Sequence, residues 1–302
     1  RYSGFSSDYR YTIRECRIYE NWCYFKIIHF LVTEQGWEID NPEELTKQID
    51  NSLIKKKGSQ HKIKCTLKHS NSNESDIILN AYYEHKINTN QLSEEPLEPD
   101  YHFEFEINGR KHNIYADAKY KNYLEMETHY KSEFTSNIRD VAINKYINRF
   151  ATTENEANAS FIIHPDINPM YTFFGGLLSE LEKEKYQSFE PPEHKFGAFV
   201  LLPSQNLYLK VFFKMIMEYH LGLYRYCWNC GETDNIQKRK ISLKSNRYKY
   251  HFHCGNCGDF WVKTHCGESS GKHKLIKHMT NYHFERKENK GNWYVQCPEC
   301  KS

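Results

Sequence analysis

Two aspartates and one lysine carry the chemistry that this sequence suggests most directly. Asp100 follows Pro99, and Asp117 is followed by Ala118 and Lys119. Two carboxylates and the carbonyl oxygen of Ala118 are hard oxygen ligands of the kind that Mg²⁺ or Mn²⁺ prefers. Lys119 is then placed to orient or deprotonate an attacking water, or to stabilise a pentavalent phosphate. The set predicts metal-dependent hydrolysis of a phosphodiester.

The sequence between the two aspartates predicts how they meet. Residues 101–107 alternate strictly between apolar and polar types, which indicates a half-buried strand. Asn108-Gly109 then supplies the two-residue turn that tight hairpins prefer, because both positions take positive φ. If the two strands pair residue for residue about this turn, Asp100 lies directly opposite Asp117, with Lys119 on the same face. Like charges placed in this way are destabilising unless a cation bridges them, which favours a metal site.

A third acidic residue lies upstream, on a segment with helical periodicity. Ile18, Trp22, Phe25 and His29 recur at helical spacing and predict a helix that buries this stripe. Glu20 points away from the stripe, but its own side of the helix is also apolar. We therefore expect a helix buried nearly all round, in which Glu20 needs a partner or a metal.

These residues together resemble the PD-(D/E)xK nuclease superfamily, in which an early helical glutamate often completes the metal site. The resemblance places Glu20 with Asp100, Asp117 and Lys119 in one catalytic centre. A branch related to the nuclease subunit of GTP-driven, modification-dependent restriction systems is indicated by four segments within residues 15–165, namely 19–22, 117–121, 140–146 and 161–165. The implied fold is a restriction-endonuclease-like mixed α/β sheet flanked by helices.

The other elements of such a fold can be placed only in part. Residues 63–67 and 77–83 are candidate strands within a long polar stretch. Residues 161–163 and 196–202 have the pattern of buried strands, and 208–221 that of an amphipathic helix.

The length of 302 residues is enough for one sizeable core and a smaller module. We expect a nuclease-like domain over residues 1–222 and a zinc-binding module over 223–302, because seven of the ten cysteines fall after residue 226.

Three Cys-x-x-Cys knuckles and a histidine pair define this C-terminal module. In a cytosolic chain such knuckles favour zinc over disulfides, since the spacing lets two thiolates chelate one tetrahedral ion. The histidine pair lies within residues 274–284, which look helical. The eight ligands, which are enough for two closed, structural Zn²⁺ sites, are Cys227, Cys230, Cys254, Cys257, His278, His283, Cys297 and Cys300.

Two pairings of these ligands are open. The first joins the knuckles at Cys227 and Cys254 into a four-cysteine ribbon and leaves the histidines with the knuckle at Cys297. The second joins the knuckle at Cys254 with the histidines as an extended finger and pairs the other two knuckles. We favour the first, because residues 231–253 look strand-like and basic. The spare ligands are Cys266, His265 and His273.

The charge balance gives no overall basic signature. The chain has 41 lysines and arginines against 39 acidic residues, a formal net charge of +2. Nucleic-acid binding would therefore depend on local basic patches. The candidate nucleic-acid contacts are Lys121, Lys145, Tyr146, Lys238, Arg239 and Lys240.

The sequence contains neither a hydrophobic run of the ~20 residues that span a bilayer nor the apolar core of a signal peptide. We expect a soluble, cytoplasmic protein without membrane contacts, of prokaryotic origin if the resemblance holds. A phosphate-binding glycine loop is also missing from the sequence. Any nucleotide hydrolysis would therefore come from another chain, such as an NTPase or other defence-system subunit, or from a part of the protein outside this sequence. A second copy of the same chain is a further candidate partner, which would make a homo-oligomer.

The sequence is thus interpreted as a Mg²⁺-dependent DNA endonuclease, the effector of a prokaryotic defence or restriction system. The defence role rests on the resemblance alone. DNA is the expected partner, and RNA is an alternative substrate. A different class of function is a non-catalytic nucleic-acid-binding or scaffold protein that acts through the zinc module.

Overall fold

The structure is a computed structural model. It describes residues 6–54, 63–71, 75–88, 95–121, 130–151, 153–166, 195–242, 248–265 and 274–278. None of the described helices has the length and apolarity needed to cross a membrane.

A seven-stranded mixed sheet forms the centre of the first part of the chain. Strands β1 to β5 are antiparallel neighbours in sequence order, and β6 and β7 continue the sheet in parallel. The predicted α/β class with a mixed sheet is confirmed. The strands are β1 (Glu38–Ile39), β2 (Ile63–His69), β3 (Ile77–Tyr83), β4 (Tyr101–Ile107), β5 (Arg110–Ala118), β6 (Ala157–His164) and β7 (Phe196–Val200).

Helices cover the sheet on both faces. One layer contains α1 (Ser6–Glu34) and α4 (Leu207–Met215), which continues as a π-helical turn (Ile216–His220); α2 (Pro42–Ile54) contacts β2. The other layer contains α3 (Tyr130–Asn137), which continues as the π-helix Ile138–Asn148. Residues of β6 alternate between the two cores, because successive strand side chains point to opposite faces. Phe161 packs with the first layer and Ile162 with the second.

Helix α1 buries a different face from the predicted one. The predicted stripe is wrong: Ile18 and Phe25 are 58% and 39% exposed, and His29 is exposed as well. The buried side is the one that Glu20 shares, and it carries Tyr19, Cys23, Tyr24, Ile27, Ile28, Phe30 and Leu31. Since both sides of this helix are apolar, periodicity alone does not decide which one meets the sheet.

The hairpin of β4 and β5 forms as predicted. Asn108 and Gly109 have φ values of 51° and 69°, the left-handed values that a two-residue turn of this kind requires. Ile107 pairs with Arg110, and the ladder continues to Tyr101 opposite Ala116. Asp100 and Asp117 are the next residues along the two strands.

The cysteine-rich part contains a second, four-stranded antiparallel sheet. Its strands β8 (Ile236–Ser242), β9 (Tyr248–Cys254), β10 (Phe260–His265) and β11 (Lys274–His278) lie in the order β11-β10-β9-β8. The helix predicted over residues 274–284 is therefore wrong where the structure describes it, at Lys274–His278. These residues pair through their backbone with strand β10, and this pairing overrides the local helical pattern.

The cysteine-rich part packs against the end of helix α1. Gln35 follows this helix, and its Nε2 donates to the carbonyl oxygens of Trp228 (3.1 Å) and Asn229 (3.3 Å). The Tyr226 hydroxyl donates to Gln35 Oε1 (2.9 Å) and accepts from Trp37 Nε1 (3.2 Å). Tyr226 and Trp228 belong to the main hydrophobic core. The domain boundary after residue 222 stays a prediction, and a shared core crosses it.

The two glycines that follow the described knuckles give a matched test of this packing. Gly231 has a φ of +73°, and a Cβ there would lie 2.0 Å from the carbonyl oxygen of Gln35. Gly258 has a φ of +78° and open space around the same atom. Both alanine variants carry a left-handed backbone cost of about 1–2 kcal/mol. Gly231→Ala should lose a further ~1–3 kcal/mol of unfolding free energy through overpacking. Urea unfolding measures both, and equal stabilities would contradict the packing.

Candidate active site

The hairpin brings Asp100 and Asp117 into direct contact at the end of β5. The backbone N–H of Asp100 donates to Asp117 Oδ1 (3.3 Å), and the N–H of Ala118 donates to Asp100 Oδ2 (2.7 Å). The structure thus places both predicted aspartates and Ala118 together. The role of the Ala118 carbonyl as a metal ligand stays a prediction.

The Asp117 carboxylate is buried and surrounded by donors. Its Oδ2 lies 3.3 Å from Lys119 Nζ and 3.1 Å from Lys145 Nζ. Its Oδ1 accepts a short hydrogen bond from the Tyr146 hydroxyl. Lys145 and Tyr146 come from the π-helix on the second face of the sheet. Four protein donors therefore hold this carboxylate, counting the Asp100 N–H.

The two aspartates have opposite pKa shifts. Burial opposes ionisation of Asp117, but the charges of Lys119 and Lys145 outweigh it and hold its pKa below the ordinary value. Burial and the negative charge of Asp117 raise the pKa of Asp100 well above its ordinary value. The negative charge of the pair is therefore concentrated on Asp117. A cation placed between them would lower the pKa of Asp100, since an opposite charge favours the ionised form.

Glu20 lies on the side of α1 that faces the sheet, and it is half-buried. The Tyr101 hydroxyl donates to the Glu20 carbonyl oxygen (2.7 Å) and fixes the helix backbone to β4. Burial raises the pKa of the Glu20 carboxyl, and the positive charge of Arg17 opposes this shift. The charge of Lys119 also lowers this pKa, whereas that of Asp117 raises it. The role of Glu20 as a metal ligand stays a prediction.

Two residues beside these acids were not found by sequence reasoning. Glu84 has a φ of 50°, and its N–H donates to the Asp100 carbonyl oxygen (3.0 Å). Its carboxylate forms an ion pair with Arg17 (2.8 Å). The Tyr83 hydroxyl is buried and makes no hydrogen bond within the described part of the chain. Burial raises the pKa of Tyr83, and the charges of Glu84, Glu20 and Asp100 raise it further. In the sequence, the only indication that these two residues lie near the site is their position at the end of a predicted strand.

The donor set fits a hard divalent cation by its chemistry. Carboxylates from Glu20, Asp100 and Asp117 are ligands that Mg²⁺ takes, and the unsatisfied Tyr83 hydroxyl is a further polar group at this end of the sheet. The carboxylate oxygens of Glu20, Asp100 and Asp117 do not all lie within 4.8 Å of one another. Among the described residues, only a group of four cysteines places its ligand atoms that close together. Lys119 and Lys145 supply positive charge at Asp117.

The predicted nucleic-acid contacts have different environments. Lys121 forms an ion pair with Glu133, and Lys145 contacts Asp117. Tyr146 is fully buried, so its prediction as a nucleic-acid contact is corrected: the residue positions Asp117 instead. The last three candidates, all exposed on the edge strand β8, are Lys238, Arg239 and Lys240.

The four cysteines of the first two knuckles converge on one point. The sulfurs of Cys227, Cys230, Cys254 and Cys257 all lie within 4.8 Å of one another. Cys227 Sγ is 3.6 Å from Cys257 Sγ, and Cys230 Sγ is 3.7 Å from Cys254 Sγ. Sulfurs around a tetrahedral zinc with bonds of about 2.3 Å would be about 3.8 Å apart. The cluster is therefore compatible with zinc and matches the first of the two predicted pairings.

The predicted second zinc site falls largely outside the described residues. His278 ends strand β11. His283, Cys297 and Cys300 lie outside the part of the chain that the structure describes.

Comparison with known families identifies the class of the first domain. The family model described as the PD-(D/E)XK nuclease superfamily matches residues 17–207, more than half of the chain. The chain belongs to this superfamily, and its seven-stranded mixed sheet with flanking helices is the restriction-endonuclease-like fold. Neither the curated proteins nor the solved structures give a significant match.

Replacing Lys145 tests how Asp117 is held. Lys145→Met should lower the unfolding free energy by about 1–2 kcal/mol, because a buried carboxylate loses a charged partner that is itself one-third exposed. The pKa of Asp117 is lowered in the folded state, so this stabilisation is present above the ordinary aspartate pKa and disappears as the pH falls through the folded value. Unfolding at pH 7 and at pH 3 would measure the difference.

The control is Lys111→Met, which removes an exposed lysine from its ion pair with Glu104. A surface pair of this kind contributes about 0–1 kcal/mol. Adding Mg²⁺ should also narrow the gap between Lys145→Met and the wild type, because the ion restores positive charge at Asp117. Equal effects of the two lysine variants at both pH values would contradict the assignment.

Proposed function

We propose that this chain is a metal-dependent DNA endonuclease, with Glu20, Asp100, Asp117 and Lys119 as its catalytic residues. The observation that carries the proposal is the contact between Asp100, Asp117 and Lys119 within a chain of the PD-(D/E)XK nuclease superfamily. Membership of this superfamily implies a nuclease that hydrolyses phosphodiesters. The divalent ion, Mg²⁺ or Mn²⁺, and DNA as the substrate belong to the proposal.

The chain's own residues have distinct roles in this proposal. Glu20, Asp100 and Asp117 would hold the ion, which when bound would activate water and neutralise charge on the phosphate. Lys119 keeps the attacking water oriented and places a positive charge where the pentavalent phosphate develops. Its pKa is raised: burial opposes this, but the charges of Asp117 and Asp100 outweigh burial, so Lys119 is an ammonium group. In this proposal the ammonium group acts as a donor to the water and the phosphate.

The biological setting is the finer part of the proposal. Four segments between residues 19 and 165 resemble a branch related to the nuclease subunit of GTP-driven, modification-dependent restriction systems. We place the chain, on that resemblance, as the effector of a prokaryotic defence or restriction system in the cytoplasm. An NTPase or other system subunit would then be its partner.

The cysteine-rich part is included as a structural zinc module. One Zn²⁺ would be held by the four clustered cysteines. A second would be held by His278, His283, Cys297 and Cys300. The exposed basic residues Lys238, Arg239 and Lys240 on β8 support contact with phosphates.

One observation favours the alternative of a non-catalytic nucleic-acid-binding scaffold. Both oxygens of Asp117 are engaged by protein donors, namely the Asp100 N–H, Lys145 and Tyr146. A scaffold would use the same contacts only to hold the fold together.

Cleavage assays with the purified chain separate the two functions. Plasmid, single-stranded DNA and RNA are incubated with Mg²⁺, Mn²⁺ or EDTA. Wild type should cut DNA only with metal, and Asp117→Asn and Lys119→Met should each lose at least about 100-fold in rate. Lys111→Met is the control and should cut like the wild type. Metal analysis of the same preparation should give two zinc ions per chain. A wild type that binds nucleic acid but cuts none of these substrates would support the scaffold.

A further inference from the structure

An aromatic group lies beside the candidate active site and faces partly to solvent. We call it the aromatic platform; its members are Tyr19, Trp22 and Tyr120. Tyr120 follows Lys119 directly and is 46% exposed, and Tyr19 directly precedes Glu20. The platform therefore begins one residue away from each of two proposed catalytic residues.

The geometry of the platform is fixed from the core. Tyr19 is buried, and its hydroxyl donates to the Leu201 carbonyl oxygen (3.2 Å). Tyr120 leans against the Tyr19 ring with centroids 5.5 Å apart. Trp22 stacks on Tyr19 at 5.8 Å with an interplanar angle of 28°. Tyr19 thus contacts both of the other rings, and Trp22 and Tyr120 are the ones that reach the surface.

The lysines around the platform suit the phosphate backbone of a nucleic acid. Lys119 precedes Tyr120 and Lys121 follows it, and Lys26 lies one helical turn beyond Trp22. Lys121 forms an ion pair with Glu133, and Lys26 donates to the Pro203 carbonyl oxygen (3.4 Å). Aromatic rings interleaved with lysines are the combination with which proteins bind single-stranded nucleic acids.

Base pairing decides which form of nucleic acid can use such a platform. In a duplex each base is stacked between its neighbours, so its faces are covered. In a single strand or a locally unpaired region the face of a base is available to an aromatic side chain. A platform next to the reacting groups therefore discriminates between the two forms at the position that flanks the scissile bond.

We propose that Tyr120 and Trp22 stack an unpaired nucleobase next to the scissile phosphodiester, so that the substrate class is single-stranded or locally unpaired nucleic acid. This inference rests on the proposed nuclease function for the position of the scissile bond. Tyr120 and Trp22 are binding and specificity residues in this account, and neither takes part in proton transfer.

Binding to a labelled fifteen-nucleotide oligo-dT and to a duplex of the same length tests the proposal. The Asp117→Asn background prevents cutting. Tyr120→Ala should raise the dissociation constant for oligo-dT about tenfold, which is about 1.4 kcal/mol and within the range for one stacked base. Tyr120→Phe should stay within about twofold, because the ring remains. Duplex binding should change by less than about twofold in both variants.

The control is Ile18→Ala, which removes apolar surface from the exposed side of the same helix and should leave both affinities unchanged. Fluorescence gives a second readout, because among the four tryptophans in the described ranges Trp37, Trp228 and Trp261 are buried, whereas Trp22 is half-buried. Oligo-dT should quench a component of the emission that is lost in Trp22→Phe. Oligo-dT binding that is equal in Tyr120→Ala and wild type would overturn the proposal, as would equal losses on single strand and duplex.

The outcomes also separate this inference from the nuclease function. If the wild type cuts DNA with metal but Tyr120→Ala keeps its affinity for oligo-dT, the platform fails and the nuclease stands. If no substrate is cut while Tyr120→Ala alone loses oligo-dT, the nuclease fails and the platform stands as a binding site.

Discussion

The buried negative charge of Asp117 is the constraint on which the rest of this structure depends. A carboxylate that is 2% exposed needs cations and donors, because burying an unpaired charge is very unfavourable. The fold supplies them from both sides: Lys119 continues β5, while Lys145 and Tyr146 reach across from the π-helix. The two carboxylate oxygens of Asp117 are therefore held in place by the hairpin turn, the position of the π-helix and the register of β5.

Helix α1 runs from this site to the cysteine-rich part. Glu20 lies in its middle, and Gln35 follows its last residue. Fifteen residues separate them, which is about 22 Å of helix. The Gln35 side chain bonds to carbonyl oxygens inside the first cysteine knuckle. The cysteine-rich part is therefore built into the core that positions helix α1.

The sequence was sufficient where a local rule decided the outcome. The Asn108-Gly109 turn sets the register of the hairpin, and the register alone brings Asp100 to Asp117. It was insufficient where two faces or two partners competed. Helix α1 is apolar on both sides, so its pattern fits burial of Ile18 and Phe25 equally well, although both are exposed. Residues 274–278 pair with β10, and no local sequence pattern predicts this partner. The contact of Lys145 and Tyr146 with Asp117 depends on tertiary packing in the same way.

Counting the Mn²⁺ ions bound by the zinc-loaded chain tests the central claim most directly. Electron paramagnetic resonance of the free ion during titration gives the number and affinity of the sites. The account predicts a saturable site that weakens at least about tenfold in Asp117→Asn and Glu20→Gln, because each variant removes a charged ligand. Lys111→Met should leave it unchanged. Mn²⁺ binding that is the same in Asp117→Asn as in the wild type would contradict a metal centre at Asp117.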